Sequence, residues 1–168
     1  MSQFRMKPID ESLARQVRET MRDPIYGLPV RAEPATGYGP CRVCLRTFET
    51  GEPRVLFLYN AFSDGQEADL AGPVFIHADQ CARYDEPSMF PEQIAALPIV
   101  LRAYDSHRRC IFEITPKPGA VDASLEALFE SESVAFVHVR NSEAKCFIAR
   151  VDRVRAGAYQ PNVLVSSR

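Results

Sequence analysis

The chain has 168 residues, 46% hydrophobic and 25% charged, enough to bury a core without metal or disulfide staples. Its formal net charge of −2 excludes a global attraction to nucleic acid or an anionic membrane, so any anion site must be local. The first eight residues lack the apolar run of a signal peptide, and no apolar stretch approaches the ~18 residues of a membrane span, so a soluble, cytoplasmic protein is expected.

In chain order, Asp10 is placed to cap a helix over 10–21, with Ile9, Leu13, Val17 and Met21 recurring on one face. Asp23-Pro24 ends it. Residues 26–40 hold Gly27, Pro29, Pro34, Gly37, Gly39 and Pro40 with little periodicity, which predicts a surface arm. Residues 41–48 and 54–60 pattern as a hairpin, 63–70 as an acidic loop and 72–77 as a third strand. A short helix is expected over 88–97 with Pro91 in its first turn. Residues 99–104 and 110–115 form a second hairpin, 122–131 a helix, and 134–140 with 145–154 a third hairpin, while 156–168 reads as loop or loose strand. Hairpins with few helices between them predict an α+β domain built on one mostly antiparallel sheet, with an N-terminal helix and one or two packing helices. A single domain over 1–168 is expected, divided into the N-terminal helix (1–24), the Pro/Gly-rich arm (25–40) and the sheet core (41–168).

Chemistry concentrates in Cys41-x2-Cys44 and, after thirty-two intervening residues, His77-x3-Cys81. These four side chains make a Cys3His donor set for structural zinc. In a straight strand, residues three apart face opposite sides, so a shared metal requires a turn at 40–43, and no glycine follows Cys44, where Leu45 stands. If 41–48 is instead an unbroken strand, Arg42, Cys44 and Arg46 share a face that favours a thiolate and suits a carboxylate or phosphate. Arg102 and Tyr104 on a neighbouring strand extend it, and solvated arginines paired with carboxylates are the bland alternative. His77 is a candidate general base, metal ligand or capping group, and forms a Cys–His dyad with Cys81 if 79–83 is a helical turn. His107 and His138 read as structural, and Cys110 and Cys146 as core. Five cysteines, an odd number, argue against a disulfide framework. Phosphate-loop, dinucleotide, zinc-protease and serine-hydrolase motifs are absent, and basic residues do not cluster with aromatics, so no nucleic-acid partner is expected.

Pro40-Cys41-Arg42-Val43-Cys44-Leu45-Arg46, Gly51-Glu52, Leu58-Tyr59, Phe62, Gly72-Pro73-Val74-Phe75-Ile76-His77, Cys81 and Leu101-Arg102-Ala103-Tyr104 together resemble the bacterial family called domain of unknown function DUF1203. The resemblance runs from about Tyr38 to the C-terminus. It departs in having Glu67-Ala-Asp-Leu70 where an aromatic is expected and Ala103 where glycine is. It implies that the region of Arg42, Cys44, His77 and Arg102 belongs to the family pattern, and no activity.

Three functions fit these residues. The first is binding of a small anionic molecule by Arg42, Arg46, His77, Arg102 and Tyr104. The second is an enzyme with Cys44 or Cys81 as nucleophile and His77 as base. The third is a non-catalytic protein whose Cys41, Cys44, His77 and Cys81 hold zinc. No membrane partner is expected, and the chain is read as a monomer or homodimer.

Overall fold

A computed structural model describes residues 4–37, 39–62, 71–86 and 89–154. Along it run β1 (Phe4–Lys7), α1 (Glu11–Thr20), β2 (Ala32–Pro34), β3 (Pro53–Tyr59), β4 (Gly72–His77) and α2 (Glu92–Ala95). Then follow β5 (Ile99–Tyr104), β6 (Cys110–Ile114), α3 (Val121–Glu130), β7 (Phe136–Asn141) and β8 (Phe147–Arg153). Among the described residues every strand pairing is antiparallel, and the class is α+β, mostly sheet. The strands divide into two sheets, ordered β1-β8-β7-β5-β6 and β2-β3-β4, where the sequence reading expected one. None of the described helices is long and apolar enough to cross a membrane.

The five-stranded sheet owes its core to period-two alternation. Leu101, Ala103, Val137, Val139, Ala149 and Val151 point to one face and pack against Val121, Leu125, Leu128 and Phe129 of α3. The opposite face carries Tyr104, Phe136 and His138, with Arg102 paired in register with His138 and His138 with Arg150. Its first strand was not foreseen: β1 pairs with β8, Phe4 lying opposite Arg153. A second core forms where Ala14 and Val17 of α1 meet Val55, Phe57, Val74 and Ile76 of β3 and β4. The arm is not wholly irregular, since β2 lies within it and pairs with β3.

The main correction concerns residues 41–48, which are a turn and not the strand expected to pair with 54–60. Leu45 adopts a left-handed backbone, φ 57°, which breaks strand alternation. Leu45 N–H donates to Cys41 O at 2.9 Å and Cys41 N–H to Arg46 O at 2.9 Å, closing a knuckle. Arg42 N–H then donates to Phe75 O of β4 at 3.0 Å, and Ile9 N–H to Arg42 O at 3.0 Å. Leu45 enters the core of the five-stranded sheet, whereas Cys41, Val43 and Phe48 enter the other. The knuckle thus rivets the two sheets.

Two cysteines expected in the core are not there. Cys110 is exposed on β6, which borders its sheet, and Cys146 is half-buried just before β8. Pro91 stands at the N-cap of α2. The expected acidic loop (63–70) and tail (156–168) lie outside the described residues.

Candidate metal centre

Cys41 and Cys44 come from the knuckle, His77 from the last position of β4, and Cys81 from the irregular chain that follows. The left-handed turn at Leu45 swings Cys44 back beside Cys41, while antiparallel pairing with β3 holds His77 opposite Arg54. One ligand atom from each of the four residues lies within 4.8 Å of all the others. Cys41 Sγ is 3.8 Å from Cys81 Sγ, and Cys44 Sγ is 3.5 Å from His77 Nδ1. A tetrahedral zinc with Zn–S of about 2.3 Å and Zn–N of about 2.0 Å has S···S edges of about 3.8 Å and S···N edges of about 3.5 Å. Both contacts have these lengths. Cys41, Cys44 and His77 are buried and Cys81 half-buried.

The surroundings suit a metal thiolate cluster. His77 N–H donates to Cys41 Sγ at 3.4 Å, and Arg18 on α1 donates through Nη2 to Cys81 Sγ at 3.4 Å and through Nε to His77 O at 3.0 Å. Three thiolates and one divalent cation leave one negative charge, and the Arg18 guanidinium supplies the opposing positive charge. His77 Nε2, on the far side of the ring, lies 2.9 Å from Glu52 Oε1, at ion-pair distance although bent from a hydrogen-bond line. A carboxylate behind the second ring nitrogen is the usual support for a metal-bound histidine. Burial notwithstanding, the Glu52 carboxyl is held below its ordinary value, first by the Glu49 backbone N–H and then by His77.

The thiols titrate as a group. Hydrogen bonds from Cys44 and then Cys81 hold the Cys41 thiol far below its ordinary value, whereas the same bonds, seen from the donors, push Cys44 and Cys81 up. The cluster by itself therefore favours one thiolate. Two more negative charges at this spacing need a cation among them.

The remaining expected residues are scattered. Arg42 is buried, donating through Nε to Phe147 O at 2.8 Å and through Nη1 to Pro40 O at 2.7 Å. Arg46 is exposed. Arg102 pairs with Glu113 at 2.7 Å, and Tyr104 is buried with its ring stacked on Phe136. Arg102 and Tyr104 belong to β5 of one sheet and His77 to β4 of the other, so the five do not form one anion-gripping face. Because 41–48 turns, Cys44 is not flanked by Arg42 and Arg46 on a strand face. Residues 79–83 form no helical turn, and it is Cys44 that reaches the His77 ring. Sequence reasoning missed Arg18, which no local pattern marks, and Glu52, visible only as the residue after Gly51.

A family model described as Protein of unknown function (DUF1203) matches residues 38–153, well over half of the chain and inclusive of all four cluster residues. No curated protein and no solved structure matches the chain.

Proposed function

We propose that this chain, which belongs to the DUF1203 family of proteins of unknown function, is a non-catalytic, zinc-stabilised protein in which Cys41, Cys44, His77 and Cys81 hold one structural zinc ion. The observation that carries the reading is the pair of contacts at 3.8 and 3.5 Å, which match the edge lengths of a zinc tetrahedron. Three sulfurs and one imidazole would fill all four positions of a bound zinc, leaving none open for a substrate or an activated water. Burial of three of the four ligands also favours a closed structural site over a reactive one. The zinc would add to the knuckle's role of joining the sheets, since ligands from the knuckle, from β4 and from the following loop would be tied at one point.

The test is elemental analysis of full-length protein purified without a metal-affinity tag, with thiol counting before and after chelation. The expected result is about one zinc per chain with three thiols protected, and a Tm lowered by about 10 °C or more on chelation. Metal-free protein with one thiol alkylated much faster than the rest would overturn the reading and favour the Cys44–His77 pair as a functional thiol.

A further inference from the structure

A second polar feature lies between the two sheets. A cavity of about 310 Å³ is lined by Lys7, Asp10, Tyr59, Arg83, Phe147 and Arg150, among others. Lys7 comes from β1, Phe147 and Arg150 from β8, and Tyr59 from the end of β3. Arg83 lies two residues beyond Cys81 and is anchored by donation to Pro8 O at 3.0 Å and Ile9 O at 3.3 Å.

Among the described residues, the charges around this cavity do not balance. Asp152 takes both Lys7 and Arg150, each at 2.6 Å. The one carboxylate near Arg83 among the described residues is Asp10, at 3.8 Å, whose side chain is 83% exposed. Three cations thus face two carboxylates among the described residues, and the longest pair is that of Arg83 with the exposed Asp10. The Tyr59 hydroxyl makes no hydrogen bond among the described residues, and burial pushes its pKa up, so it remains a donor. Its ring packs against Phe147 with centroids 5.2 Å apart, giving the cavity an aromatic wall beside its cationic one. The cavity's volume falls near the lower end of the ~300–1,000 Å³ range of small-molecule sites, and its lining is mostly polar, with the Tyr59 and Phe147 rings as its aromatic part.

We propose that this cavity binds the oxyanion group, carboxylate or phosphate, of a small molecule. Arg83, Lys7 and Arg150 supply the countercharge, Tyr59 donates a hydrogen bond, and the Phe147 and Tyr59 rings face the ligand's apolar body. Guanidinium groups suit such oxyanions because their donors form a planar fork. The site is separate from the four metal-ligand side chains, and its residues are not those the sequence suggested for an anion.

Two-dimensional amide NMR of the full-length, metal-loaded protein, titrated separately with inorganic phosphate and with benzoate, tests this. Saturable shifts confined to residues 7–10, 59–61, 83 and 147–150 are the expected result. Saturation by phosphate alone identifies a phosphoryl ligand, and saturation by benzoate alone a carboxylate on an apolar body. Arg83→Gln should weaken binding by about tenfold or more. Tyr59→Phe, which keeps the ring, should weaken it by a smaller factor. Arg31→Gln, which removes the same charge from an exposed position outside the cavity, should leave binding unchanged. Linear or scattered shifts with both probes, or an equal loss in Arg31→Gln and Arg83→Gln, would overturn the assignment.

Discussion

Leu45 takes a left-handed backbone that costs a non-glycine residue roughly 1–2 kcal/mol. Its side chain is 1% exposed in the core of the five-stranded sheet, and losing a buried leucine costs about 2–5 kcal/mol. The second term is larger. Leu45→Gly should therefore destabilise the protein by about 1–3 kcal/mol in urea unfolding despite relaxing the backbone; an increase in stability would show that the turn, not the core contact, governs. The missing glycine argued against a knuckle when only local chain geometry was read, and the offset lies in a tertiary contact invisible at that level. His138 presents a second balance. It is fully buried among Phe62, Tyr104, Phe136 and Phe147, and burial first, with Arg140, Arg150 and Arg102 adding to it, pushes its pKa down to about 2 from 6.5. Folded His138 stays neutral while the unfolded chain takes up a proton below 6.5. Stability from this group is thus complete above 6.5 and falls as pH drops towards 2, by about 1.4 kcal/mol per pH unit. His138→Phe should remove that slope, so that the loss between pH 6.5 and about pH 5 is smaller than in the unaltered protein by about 2 kcal/mol. Identical pH profiles from denaturant titration would show that His138 does not control it.

At the scale of elements, the knuckle depends on one buried guanidinium. Arg42 links it to β8 through Phe147 O and closes on Pro40 O. Arg42→Met keeps most of the apolar stem but leaves two carbonyls without their donors, which should cost about 3 kcal/mol. If knuckle and β8 are coupled only through this side chain, hydrogen exchange in both should accelerate together; acceleration in the knuckle alone would refute the link. The hairpins of β5–β6 and β7–β8 were legible because alternating apolar residues meet turn-forming Asp105 and Asn141, whose carboxylate and amide oxygens accept the turn N–H groups. Strand β1 has the same alternation in Phe4 and Met6, but four residues carry too little pattern when their partner is β8. The knuckle was legible only as one of two alternatives. Both a strand and a turn accommodate Cys-Arg-Val-Cys, and the choice is made by hydrogen bonds to β4 and packing across two cores.

Across the whole molecule, the four cluster residues were legible as a donor set because cysteine and histidine at short spacing carry their chemistry with them. Arg18 and Glu52 were not, since each reaches the cluster by packing of α1 and by the turn before β3, and no spacing rule encodes either approach. The same long-range dependence governs the two sheets differently. All segments that build the three-stranded sheet and supply the cluster lie between Ala32 and Cys81. The five-stranded sheet instead joins its earliest strand to its last, Phe4 opposite Arg153. On a ribosome, where the chain emerges from its N-terminus, the segments of the cluster and of its sheet are all made while β5 to β8 are still unmade. The knuckle's contacts with Phe147 and the five-stranded core wait for them. β1 must wait, unpaired, until β8 has been synthesised, so among the described strands the earliest made is among the last to find its place.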